Sequence, residues 1–300
     1  MALAELHPWA FSPHPEVWVL IAAVVALGFY ATRVIGPKVV RDGSPVVSRR
    51  QRRWFVAGVV VLWLASDWPM HDIGERYLYS VHMVQHLLMT FVVPPLFLLA
   101  TPTWLARLIV GDGWFAGKIV RRLCKPVVAG VLFNAALVFT HWPPTVNTAV
   151  DVAAVHYGLH LLLVTTALLM WMPICGPLPE VRLSLPGQMA YLFCQSIVPT
   201  IPSAWLILAE HPVYRVYDKV DRLWGIDAVN DQQIAGVVMK LVGGFLLWGI
   251  IFGIFFRWSK VHMEAERQGV LISERDVLTW DEVQAELAAL ETSAPAPREP

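Results

Sequence analysis

His82 and His86, and again His156 and His160, stand at i, i+4 spacing inside apolar stretches of the chain. On a helix that spacing brings both rings of a pair onto one face. Imidazole is a metal ligand as well as a proton carrier, and a titratable side chain in hydrocarbon is costly enough to mark a functional site. Four such nitrogens suit copper in either oxidation state, or zinc. They lack the oxygen donors that calcium or magnesium requires. Haem is the competing ligand, with one axial His from each helix on a single porphyrin. Two stacked haems are excluded, because i, i+4 separates two rings by only about 6 Å along a helix. The remaining reading is a polar cluster that holds helices together and binds nothing.

Other residues could join these four. Met83, beside His82, offers a thioether that favours Cu(I), although Met in such helices is commonly packing filler. His71, His141 and Asp67 are candidate auxiliary or entry residues. Asp231 opens the last apolar run, where a helix dipole already favours an acid, so it has a structural reading as well. Lys240 lies about 13 Å into that run and either pairs with an acid or snorkels outward. Cys124, Cys175 and Cys194 form no C-x-x-C pair and read as isolated small hydrophobes. The sequence has no G-x-S-x-G elbow, P-loop or H-E-x-x-H. No catalytic set is visible, and the chain is read as a non-enzyme.

The elements that must carry these residues are membrane helices. The 300 residues are 56% hydrophobic and 15% charged, with a mean hydropathy of +0.54 and no net charge. That balance excludes nucleic acid as a partner and points to lipid. Seven runs, near 17–35, 54–68, 77–100, 126–142, 152–172, 188–209 and 232–256, approach the ~20 residues needed to span a bilayer. The expected fold is all-α, a polytopic bundle of about seven transmembrane helices. Pro94 and Pro95, and Pro199 and Pro202, are expected to break two of them and free backbone carbonyls. Gly249 and Gly253 form a G-x-x-x-G, a possible packing face. The first sixteen residues hold Glu5 and Glu16 but no Lys or Arg, so the basic region of a signal peptide is missing and the first run is expected to be retained.

Basic residues set the orientation. Of the 23 Lys and Arg, only Arg76, Arg215, Lys219 and Arg222 fall on one side, with Lys240 inside a run. This places the N-terminus outside and the C-terminus in the cytoplasm. His82 and His86 then lie about 8 and 14 Å along their helix, and His156 and His160 about 6 and 12 Å along theirs. The two pairs share a depth in the outer half of the membrane. A transmembrane domain over 1–257 is followed by a cytoplasmic tail over 258–300. In that tail Thr279 and Glu282 make a capping box, and Val283, Leu287 and Leu290 form a stripe. One short helix near 280–291 and a disordered Ala/Pro-rich end are expected.

The stretch His82-Met83-Val84-Gln85-His86-Leu87-Leu88, with Pro94-Pro95-Leu96 and Pro102 after it, resembles the CtaG family of cytochrome c oxidase assembly factors, linked to caa(3)-type oxidases. Trp142-Pro143-Pro144, His156-Tyr157-Gly158-Leu159-His160, Trp171-Met172-Pro173 and Asp231-Gln232-Gln233-Ile234-Ala235-Gly236 follow in the family's order. The resemblance covers about residues 10–257. It implies a multi-pass protein of the bacterial plasma (inner) membrane that matures a haem-copper oxidase by handling copper, with oxidase subunits as partners. The single-span copper-delivery protein that shares the CtaG name is different; it uses a Cys-x-Cys site absent from this chain. Lys240 departs from the pattern, standing where an apolar or Trp residue is expected. Copper bound by His82, His86, His156 and His160 is the favoured reading. A haem-carrying electron-transfer protein, a copper transporter and a metal-free scaffold are the alternatives.

Overall fold

The computed structural model describes residues 8–41, 43–111, 115–218, 222–275 and 284. All regular structure among them is helical. In chain order the principal helices are α1 (Pro15–Val39), α2 (Arg49–Ser66), α3 (Met70–Arg76), α4 (Tyr79–Ala100), α5 (Thr103–Ile109), α6 (Phe115–Leu123), α7 (Pro126–Thr140), α8 (Pro143–Asp151), α9 (Ala153–Cys175), α10 (Leu185–Ile207) and α11 (Ala228–Arg275). The chain divides into two compact units, Met1–Phe252 and Gly253–Pro300.

Five stretches are long and apolar enough to cross a membrane: Pro15–Val39, Tyr79–Ala100, Ala153–Cys175, Leu185–Ile207 and Ala228–Arg267. A sixth is counted if Gly117–Leu123 and Pro126–Thr140, which meet at 78°, act as one bent span. The expected run 54–68 does not reach that standard. It lies in α2, whose 18 residues begin with Arg49, Arg50, Arg52 and Arg53, so the apolar part is short. Ser48 and Gln51 start α2 with a reciprocal capping box, which satisfies two donors that a helix end leaves open. Outward-facing side chains such as Leu27, Phe29, Leu161 and Phe245 are exposed. A surface this rich in large apolar groups is suited to lipid rather than water.

The histidine-bearing helices sit at the centre. The first half of α4 packs against α3, its second half against α2 and α9, and α9 packs along α7. Pro94 and Pro95 do not break α4 as expected. The helix widens into a π turn over Leu88–Val92 and resumes at Val93. Pro94 has no N–H with which to reach the carbonyl of Thr90, four residues back. The Trp171 indole of α9 donates to that carbonyl instead, at 2.9 Å. One proline thus creates the vacancy through which α9 is stitched to α4. Trp171→Phe keeps the aromatic fill and removes the donor, so the variant should be about 1–3 kcal/mol less stable, read as a lower unfolding temperature in detergent.

The prolines of α10 do interrupt it, into Leu185–Ile197 and Thr200–Ile207. The second piece lies close to α11: the Ser203 hydroxyl donates to Gly236 O at 2.8 Å, and a Cβ on Gly236 would stand 2.8 Å from Ser203 O. In the second unit the helix continues to Arg275 and carries i, i+4 pairs, Lys260–Glu264 and His262–Glu266. The helix expected near 280–291, and the end beyond it, lie outside the described residues apart from residue 284.

Candidate metal centre

The first turn of α4 has Leu78 at its N-cap, with no side chain to receive its free N–H groups. Asp231, from the start of α11, receives them. Its carboxylate accepts from Tyr79 N at 2.6 Å, Ser80 N at 3.0 Å and the Ser80 hydroxyl at 2.5 Å. This fixes the turn from which His82 and, one turn later, His86 project. On α9 the first turn carries His156 and the next His160.

The four rings meet. Ring centres within each pair are 4.3 Å apart. Between helices, His86–His160 is 5.0 Å, His82–His160 5.6 Å and His82–His156 5.8 Å. Ligand nitrogens of His82, His86 and His160 all lie within 4.8 Å of one another. Imidazoles around one tetrahedral ion, about 2.0–2.1 Å from each nitrogen, have ring centres about 5 Å apart. Nδ1 of His82, both ring nitrogens of His86 and Nε2 of His160 are buried with no hydrogen-bond partner among the described residues. Buried polar atoms are normally paired, and an ion among them would supply the missing partner. Tyr79, Thr140, Val146, Leu159 and Tyr217 close the space around the rings.

His156, the fourth residue singled out in the sequence, shares a buried Nε2 without a well-aligned hydrogen bond but differs in the carboxylate set against it. Its Nε2 lies 2.6 Å from Glu75 Oε1, and the other Glu75 oxygen lies 3.4 Å from His71 Nε2. Glu75 escaped the sequence reading, although His71 and Glu75 repeat the i, i+4 spacing of the histidine pairs. Burial alone would raise the Glu75 pKa, but hydrogen bonding by His156 and the nearby His71 ring outweigh it and hold it below the ordinary value. His71 is buried, and burial pushes its pKa down; the neighbouring His14 and His156 act the same way, while Glu75 opposes them. Gln85 lies 3.4 Å from His71 Nδ1. His14 stacks edge-on against His71 at 4.8 Å and reaches Asp72 Oδ2 at 2.7 Å. Burial opposes charge on His14, yet Asp72 and Glu16 together raise its pKa. Rings therefore follow one another from His14 through His71, 6.2 Å from His156, to the central trio.

The remaining sequence candidates separate. His141 ends α7, buried, with its ring 5.9 Å from that of His86. Met83 is buried beside His86 in the lining of an adjoining cavity. Asp67 is instead taken up by two indoles, Trp18 at 2.9 Å and Trp63 at 2.6 Å, and by the amide of Trp68; it ties α1 to α2. Asp231 is a helix cap for α4. Lys240 donates to the Thr200 hydroxyl of α10.

A profile for the cytochrome c oxidase caa3 assembly factor family (Caa3_CtaG) matches residues 28–261. The chain belongs to this family. Both histidine pairs, Glu75, His141 and the Asp231 stretch fall within the matched region, and His14 lies before it. Two uncharacterised mycobacterial proteins, Mb0105 of Mycobacterium bovis and MT0111 of Mycobacterium tuberculosis, are similar to it. Each is 24% identical over 261 residues, which is 81% of this chain and 38% of the relative. The chain thus spans well under half the length of these curated relatives. No solved structure matches it.

Proposed function

We propose that the protein is a multi-pass assembly factor of the bacterial plasma membrane that binds copper at His82, His86 and His160 and passes it to a subunit of a haem-copper oxidase. Seven spans, with α2 and α7 completing the set, an external N-terminus and a cytoplasmic C-terminus fit the distribution of Lys and Arg. The role is binding and transfer, with no turnover chemistry. The observation that carries this reading is the convergence of three unpartnered imidazoles within 4.8 Å inside apolar helices. Imidazole ligands hold copper and release it by exchange of one ring for another ligand. His156, bound to Glu75, stands ready as the incoming or outgoing ring; a carboxylate on a metal-ligating His is a common means of orienting it. Haem is disfavoured by the same geometry. A porphyrin needs a flat slot between its axial rings, and Tyr79, Val146, Leu159 and Tyr217 line the small space around these rings.

His82→Ala with His86→Ala removes two of the three ligands. Copper in the purified, membrane-inserted protein should fall from about one equivalent to background, measured by atomic absorption, and oxidase copper should fall in cells carrying the variant. Unchanged copper in the purified protein would overturn the site. Normal oxidase copper in those cells would favour a metal-free scaffold.

A further inference from the structure

We propose that Met83, Met239, His86 and His141 form a second metal site, joined to the imidazole trio through the shared His86 and selective for a soft monovalent ion of the Cu(I) type. It extends the copper-handling role above and rests on that reading only for its place in the pathway. The four side chains line one cavity bounded by α4, α7, α9, α10 and α11, whose walls are otherwise mostly apolar. Met83 and Met239 are buried and belong to one packed cluster, so two thioethers from helices far apart in sequence face the same space.

The polar atoms point to a ligand as well. His141 Nδ1 lies 2.7 Å from Leu137 O. A carbonyl only accepts, so Nδ1 carries the proton and Nε2 carries the lone pair. That Nε2 is buried, on a residue only 4% exposed, with no partner among the described residues. His86 is likewise unpartnered at both nitrogens, and its ring is 5.9 Å from His141 at 89°. A neutral imidazole has one lone pair, so His86 serves either the trio or this site, and an ion moves between them by exchange at that ring.

The charge of the ion follows from the surroundings. Thioether and imidazole are neutral, so the full ionic charge stays in an apolar cavity, where the solvation loss rises steeply with charge. Lys240 also lines the cavity, its ammonium turned to Thr200, and a second positive charge disfavours a divalent ion further. Thioether sulfur is itself a ligand for soft ions.

The test uses the full chain in detergent with Ag(I) alone as the probe for this site, and Co(II) alone as the probe for the trio. Met83→Leu with Met239→Leu conserves volume and is of the kind cores tolerate. Wild-type protein should bind Ag(I) with sulfur neighbours visible by X-ray absorption. The double variant should lose the sulfur signal and bind Ag(I) about tenfold or more weakly, by the preference of soft ions for thioether, while its Co(II) spectrum stays unchanged. Equal Ag(I) affinity and an unchanged absorption edge in the double variant would overturn the proposal, as would wild-type protein with no sulfur neighbour. Ag(I) bound through sulfur in protein that takes up no Co(II) would support this site and sink the trio instead.

Discussion

Asp231→Ala should lower the unfolding free energy by about 3 kcal/mol, near the upper end for loss of hydrogen bonds to a charged group. Its carboxylate accepts from two backbone amides and one hydroxyl at the start of α4, and Leu78 at the N-cap offers no substitute. The residue is 2% exposed, so water does not replace the lost acceptor. The dipole of α4 adds to the attraction, and a typical cap alone contributes about 1 kcal/mol. Asp231→Asn keeps one acceptor and should lose about half as much. Thermal unfolding in detergent reads both variants. Copper affinity should fall in parallel, because His82 lies three residues beyond Tyr79. An Asp231→Ala protein as stable as wild type would show that α4 keeps its first turn unaided.

Gly74→Val is the second large effect. A Cβ at Gly74 would lie 3.1 Å from His82 N and 3.2 Å from His82 Cα. These are backbone atoms, which cannot swing aside as the tip of a flexible chain can. Either α3 lifts from α4, carrying His71 and Glu75 with it, or the backbone at His82 shifts. Overpacking of this kind costs about 1–3 kcal/mol, and metal binding should weaken with it. Gly249→Val is the control: a Cβ there would meet no other helix within 4 Å among the described residues, and its effect should stay within about 0.5 kcal/mol. Equal stabilities for the two variants would remove the argument for a tight α3–α4 contact.

The residues that announce themselves by local spacing were legible in the sequence. The i, i+4 histidine pairs, the apolar runs that became α1, α4, α9, α10 and α11, and the family motifs all depend on neighbours a turn or two away. What escaped depends on distant partners. Glu75 sits on a seven-residue helix too short to show periodicity; His71 is one turn before it, but the partner that draws it to the centre, His156, comes from α9. Asp231 reads locally as an acid at its own helix N-terminus, yet it caps a helix 152 residues earlier. Asp67 looked like a site residue because it is an acid near the membrane surface; two tryptophans, unremarked in the sequence, consume it. The prolines of α4 and α10 were legible as vacancies in the hydrogen-bond ladder. The response was not: Trp171 fills one vacancy across helices, whereas α10 separates into two pieces. The G-x-x-x-G of α11 signalled close packing, yet a Cβ at Gly249 would meet nothing within 4 Å among the described residues; the tightest approach on this helix is at Gly236.

Asp231 and Gln232 are adjacent in the chain but fasten two different segments next to the centre. Asp231 holds the start of α4, while Gln232 grips Val213 and Tyr214, whose hydroxyl in turn donates to the carbonyl of His141. The two tethers leave from a single point on one rod. A pull on that rod strains both anchorages at once, as one cord draws two curtains, and the imidazoles are disturbed without any of them being touched.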